Sequence, residues 1–185
     1  MENLQLTSPK DFENFESSYI SCNLLSSVAN FEGFRESAYI CSSGVLTIGF
    51  GHTSSVKFGD IISVSEAKEF LYQDLSGFYN SLKSIFPSFN CLPECYRNML
   101  IDLAFNCGIK NFDKTSQTEL YYYICNVISR FNSEKNVNFV LADNLFTTVL
   151  RYCHSNGRFL RGLLNRRFYY VKQCILWHEE NGFLK

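Results

Sequence analysis

Three residue types at fixed spacing could do chemistry in this chain: Glu32, Cys41 nine residues on, and Thr47 fifteen residues after the glutamate. Glu32 falls in the last turn of an apolar pattern, Ile20, Leu24, Val28 and Phe31, which stops at Gly33. At that end of a helix a carboxylate faces the negative pole of the dipole, which is expected to raise its pKa and let it hold a proton near neutral pH. Such a group can act as a general acid. Cys41 is less simple, because an ordinary thiol with a pKa of about 8.5 is only a few per cent thiolate at pH 7. It can serve as a base if a cation or donor lowers its pKa, attack as a thiolate nucleophile, pair with another cysteine as a redox switch, or merely fill space. Thr47 alone is an ordinary β-former, and only its register with Glu32 makes it a site residue.

The elements that must position these groups are legible in outline. From Ala38 to Phe58, β-formers alternate with Gly44, Gly49 and Gly51, with Gly59 following, as in a twisted antiparallel hairpin or small sheet. Ser63-Val64-Ser65-Glu66 reads as a capping box. Ala67, Phe70, Leu71, Leu75, Phe78 and Leu82 then mark one face of a helix to about Ser84. Pro87 and Pro93 bracket a loop. The next helix is predicted over 94–106, with Tyr96, Met99, Leu100 and Leu103 inward and Gly108 closing it. Further helices fit 116–129, 137–152 and 163–178.

Composition sets bounds on function. The chain has 185 residues, 46% of them hydrophobic, which suits one domain with a real core. A net charge of −1 gives no argument for nucleic acid or membrane binding. Charge is nevertheless uneven: residues 1–36 hold six acids against two bases, and residues 151–185 hold seven bases against two acids. The basic end could be a set of solvated helix faces or could meet an anionic polymer such as a bacterial wall. No run approaches the ~20 apolar residues that cross a bilayer. The N-terminus lacks a basic segment followed by an apolar one, so synthesis in the cytoplasm without a signal peptide is expected. Eight cysteines are scattered and expected to be mostly reduced. Cys91 and Cys95 are the only close pair, so neither a zinc site nor any cofactor is expected.

Read together, Glu32-Gly33-Phe34-Arg35, Ala38-Tyr39-Ile40-Cys41 and Gly44-Val45-Leu46-Thr47-Ile48-Gly49-Phe50-Gly51-His52-Thr53 resemble the active-site signature of phage-type lysozymes, glycoside hydrolase family 24. Glu32 and Thr47 fall on the family's catalytic positions, and Cys41 stands where the family has Asp. Ala104-Phe105-Asn106-Cys107-Gly108 with Phe112 is similar to the family's F-N-x-G-x-x-x-F helix end. Gly157, Gly162-Leu163 and Asn165-Arg166-Arg167 resemble its late G-L-x-x-R-R element. The resemblance covers about residues 22–178.

What the resemblance implies is specific. The fold would be α+β and predominantly helical, a lysozyme-like two-lobed arrangement with a small antiparallel sheet lobe and a helical lobe. An acidic lead-in (1–21) would precede one domain, with residues 22–85 as the sheet lobe plus connecting helix and 86–185 as the helical lobe. The activity would be hydrolysis of the MurNAc–GlcNAc β-1,4 bond of peptidoglycan, with Glu32, Cys41 and Thr47 catalytic. Asn106, Phe112 and Arg166 would meet substrate, Asn106 otherwise being a helix C-cap. Arg166 would either pair with Glu32 or be a surface base. His52, Gly49 and Gly51 would support the site structurally, although Phe50 replaces the family's Tyr. The partners would be peptidoglycan strands, with no nucleic acid, no stable membrane insertion, and an inhibitor or a secretion or holin protein as further partners of a monomer. The protein would reach the periplasm as a phage endolysin or a delivered effector. The rival reading is a catalytically weakened lysozyme fold that binds wall or a protein partner.

Overall fold

The computed structural model describes residues 8–15, 17, 19–41, 44–116, 118–134, 139–155 and 157–183. The chain divides into two compact units, residues 1–77 and 78–185. Helix α2, Val64–Ile85, runs from the first into the second.

In the first unit a 3-10 helix, Pro9–Phe15, buries Phe12 completely. The acidic lead-in is therefore part of the core over these residues, while residues 1–7 lie outside the described set. Lys68 of α2 holds this segment, donating to the Asp11 carbonyl at 2.7 Å with its ammonium 5.1 Å from the Phe12 ring centroid. Helix α1, Cys22–Glu32, starts because the Ser21 hydroxyl accepts from the Leu24 N–H at 3.2 Å. Its Leu24, Leu25, Val28 and Ala29 are buried. It ends because Gly33 takes φ +71°, with its N–H bonded to Ala29 O at 2.9 Å, a backbone conformation favourable only to glycine.

Strands β1, Arg35–Ile40, and β2, Leu46–Gly49, pair antiparallel, with Tyr39 opposite Thr47 and Ile40 opposite Leu46. The sheet begins three residues earlier than its sequence pattern predicts and stops at Gly49. Residues 35–37 are exposed and polar or charged, so the period-2 signal of a half-buried strand is absent there. Segment 60–62 lies beside β1 through Ala38 N–H to Asp60 O and Ile62 N–H to Glu36 O, both 3.0 Å. The Ser63–Glu66 box forms in full: the Ser63 N–H donates to Glu66 Oε2 at 2.8 Å, and the Glu66 N–H donates to Ser63 Oγ at 3.2 Å. On α2 the buried line is Ala67, Leu71, Leu75, Tyr79 and Leu82, whereas Phe70 and Phe78 are only half-buried.

The second unit is helical: α3, Glu94–Cys107; α4, Glu119–Glu134; α5, Phe139–Leu150; and α6, Arg161–Glu180. A hairpin of two-residue strands, β3 (His154–Ser155) and β4 (Arg158–Phe159), precedes α6. These strands are too short for a periodicity to reveal them. The core gathers around Tyr96 of α3, whose ring meets Phe131 of α4 at 5.4 Å, Phe146 of α5 at 5.6 Å and Trp177 of α6 at 6.4 Å between centroids. Its hydroxyl lies 2.7 Å from Nε2 of His178, which is fully buried. Burial holds the His178 imidazole below its usual pKa, so the ring is neutral and Nε2 accepts from the phenol.

Two expectations follow. An alanine Cβ at Gly49, where φ is +64°, would lie 3.1 Å from both Ala67 Cβ and Ile62 Cδ1. Gly49→Ala should therefore cost about 1–3 kcal/mol in urea unfolding. A histidine with a depressed folded pKa binds fewer protons folded than unfolded, so its contribution is present at pH 8 and is lost as pH falls below about 6.5. His178→Gln, which keeps an acceptor for Tyr96, should flatten the loss of thermal stability between pH 7 and 5, and an unchanged slope would refute this origin.

Candidate active site

Glu32 is the last residue of α1, half-buried, and Gly33 turns the chain directly into β1. Cys41 follows β1 at the start of the hairpin connection and is also half-buried. Its N–H donates to Val45 O at 2.9 Å, and its own carbonyl accepts from Gly44 N–H at 2.9 Å. Thr47, on β2, is only 4% exposed, and its hydroxyl donates to the same Val45 carbonyl at 3.0 Å. One carbonyl oxygen thus fixes the backbone of Cys41 and the side chain of Thr47 together.

Tyr39 shows how close these groups lie. It faces Thr47 directly across the ladder, so both side chains leave the same face of the hairpin. Burial raises the Tyr39 phenol above its usual pKa; the Glu32 carboxylate raises it further, Arg35 opposes this, and Cys41 adds a smaller upward push. Glu32, Cys41 and Arg35 therefore all lie within electrostatic reach of one phenol that has Thr47 opposite it. Glu32 precedes β1 and Cys41 follows it, while Thr47 lies across the ladder on β2. Tyr39 and Arg35 were not singled out from sequence, although both lie inside the motif.

His52 is held from both sides. Its Nδ1 lies 2.9 Å from Asp74 Oδ2 on α2, its Nε2 lies 3.0 Å from Ser54 O, and its ring stacks on Phe70 at 4.5 Å. Its backbone exchanges two 2.9 Å bonds with Ile48 around a turn in which Gly49 and Gly51 have φ +64° and +97°. With both ring nitrogens facing acceptors, His52 anchors the hairpin to α2. Burial pushes the Asp74 carboxyl up while His52 pulls it down. Asp74 carried no sequence signal beyond lying one helical turn after Phe70.

In the second unit the expected substrate residues are placed differently. Phe112, in the 3-10 helix Ile109–Phe112, is fully buried. It is a core residue with no surface for a sugar. Arg166 is 4% exposed, so it is not a surface base. Its Nε donates to Asp102 Oδ1 at 2.8 Å and its Nη2 lies 2.7 Å from the same oxygen. Burial between α3 and α6 turns Arg166 to a carboxylate of the fold. Arg167, 1% exposed, donates to Asp102 Oδ2 at 3.0 Å, to the Tyr152 carbonyl at 3.2 Å and to the Asn106 side-chain oxygen. Asn106 is exposed, and Gly108 rather than Asn106 caps α3. Burial lowers the Arg167 pKa, Asp102 opposes this, and Arg166 adds to it. Asp102, with 0% exposure, was missed from sequence; its signal was a lone acid amid Leu100, Ile101 and Leu103.

Among the described residues no group of three His, Cys, Asp or Glu could hold a metal ion, and no helix is long and apolar enough to cross a membrane. The phage lysozyme family model matches residues 29–168, well over half of the chain. The chain belongs to the phage lysozyme family. The match takes in Glu32, Cys41, Thr47 and the Asp102–Arg166–Arg167 cluster. An endolysin of Acyrthosiphon pisum secondary endosymbiont phage 1 is 39% identical over 49 residues, 26% of this chain. Those residues are 34% of that relative, so the match spans about a third of its length. The muramidase domain of SpmX from Asticaccaulis excentricus has a similar structure, with a TM-score of 0.64 at 21% identity over 83% of this chain and 95% of that one. The active form of the P1 phage endolysin Lyz gives 0.63 at 19% identity over 91% and 89%. At these identities the two structures establish a shared lysozyme fold.

Within this phage lysozyme family member, Asp102 is the carboxylate on which two buried cations depend. Asp102→Asn should cost about 3–5 kcal/mol in urea unfolding. A loss below about 1 kcal/mol would mean that the cluster contributes little.

Proposed function

We propose that this member of a glycoside hydrolase family is a peptidoglycan hydrolase that cuts the MurNAc–GlcNAc β-1,4 bond. Glu32 gives its proton to the leaving glycosidic oxygen. Water attacks the sugar carbon from the opposite face, and Cys41, as a thiolate, takes the proton that the water loses. Thr47 positions that water. The observation that supports the reading is that Glu32 at the end of α1, and Cys41 and Thr47 on the hairpin that follows it, lie inside the segment that matches the family.

The biological setting follows from the chemistry. A wall hydrolase acts where peptidoglycan is, so the protein works in the periplasm after release or secretion, as an endolysin or a delivered lytic effector. The proteins it resembles include an endolysin and a muramidase domain, which supports this setting. Cysteine in place of the family's Asp also favours a second reading, a weakened enzyme that binds wall without cutting it.

Clearing of purified peptidoglycan, in fresh reductant, distinguishes the two. The wild type should clear the suspension and release reducing ends. Glu32→Gln should slow this at least about a hundredfold with the fold intact, and Cys41→Asp should retain or raise activity. Equal clearing by wild type and Glu32→Gln would remove the catalytic assignment. Binding without release of reducing ends by the wild type would establish the second reading.

A further inference from the structure

Arg35 and Tyr39 have no role in the reaction as written, yet the charges of the site converge on Tyr39. Arg35 opens β1, and its strand position pairs with Gly49, while Tyr39 pairs with Thr47. Four residues of extended strand span about 13 Å. The ladder is irregular between Arg35 and Tyr39, and the long Arg35 side chain runs along the strand to place its Cζ 5.5 Å from the Tyr39 ring centroid. A guanidinium over the face of a tyrosine is attracted by the ring quadrupole, which favours this one orientation among those open to an exposed arginine. The cation is therefore held at the ring of Tyr39, the residue two positions before Cys41 on the same segment of chain.

The charges around the phenol have opposite effects on a thiol. The Glu32 carboxyl group at the end of α1 offers no positive charge to a thiolate. Thr47, facing Tyr39 from β2, is uncharged. Arg35 acts on the same phenol as Glu32 and Cys41, and with the opposite sign. Base chemistry at Cys41 needs a positive potential, since an ordinary thiol is mostly protonated at neutral pH.

We propose that Arg35, held over the Tyr39 ring, is a positioning residue for Cys41: its guanidinium supplies the positive potential under which the thiol gives up its proton, and Tyr39 is the platform that aims it. This rests on the assignment of Cys41 as the base. The thiol proton leaves to solvent. In turnover the thiolate takes one proton from the attacking water and Glu32 gives one to the leaving oxygen. Solvent then returns a proton to Glu32 and removes one from Cys41, and the cycle closes.

The test is alkylation of Cys41 in the full chain by iodoacetamide, read by peptide mass spectrometry across pH, because it needs no turnover. In the wild type Cys41 should react as a thiol ionising below the ordinary value of about 8.5. Arg35→Gln should slow its alkylation at pH 7 about three- to tenfold, and added salt should slow the wild type toward the same rate. Tyr39→Leu, which removes the platform, should act like Arg35→Gln, while Tyr39→Phe, which keeps the ring face, should change the rate less than about twofold. Cys22, buried in α1 of the same unit, and Cys174, buried in α6, should stay protected in every variant and so report that each is folded. Superimposable profiles for wild type and folded Arg35→Gln would overturn the inference, whatever the activity. Shifted profiles in a protein that clears no wall would uphold the inference and remove the hydrolase reading instead.

Discussion

A carboxylate sealed from water between two guanidinium groups is the constraint around which the helical unit is built. Asp102 on α3 cannot be desolvated alone, and Arg166 and Arg167 on α6 cannot be buried without an anion. Each makes the burial of the others tolerable, so α3 and α6 must meet in one register. The remaining donors of Arg167 then fix the Tyr152 carbonyl before the β3–β4 hairpin and the Asn106 side chain near the end of α3. The adjacent Cys107 thiol, which donates to Leu103 O at 2.9 Å, is pushed by burial up to about 11 and remains neutral. The thiol beside the cluster thus brings no second anion to compete with Asp102 for Arg167.

The first unit uses a different means to the same end. Its order comes from backbone conformations available to glycine and from one imidazole. Gly33 stops α1 at Glu32, and the turn with Gly49 and Gly51 brings His52 back onto Asp74 and Phe70. The hairpin is therefore attached to α2 at one end. At its other end it carries Cys41, with Tyr39 and Thr47 between.

Local signals in the sequence were reliable where the physics is local. The Ser63–Glu66 box, the stops at Gly33 and Gly108, and the inward line Tyr96, Met99, Leu100, Leu103 all depend on residues within a turn or two of one another. The placement of Glu32 at a helix end and of Cys41 and Thr47 on a short hairpin was legible because those elements are local. The Asp102 partner of Arg166 was not legible because it lies 64 residues away, and no periodicity pairs two arginines with one distant aspartate. Phe112 was misjudged because motif proximity says nothing of burial in a four-residue 3-10 helix. The basic C-terminal stretch shrinks for the same reason. Two of its arginines are spent on Asp102, and Arg151 pairs with Glu119 at 2.5 Å.

The Val45 carbonyl that receives Thr47 has a stereochemical consequence. A hydroxyl carries one hydrogen, and at Thr47 that hydrogen points to Val45. The oxygen is left with lone pairs alone. A solvent molecule meeting Thr47 must turn a hydrogen toward it, so its own lone pairs are rotated elsewhere. At Thr47 the hairpin thus presents an acceptor, with which a donor can pair and a group that can only accept cannot.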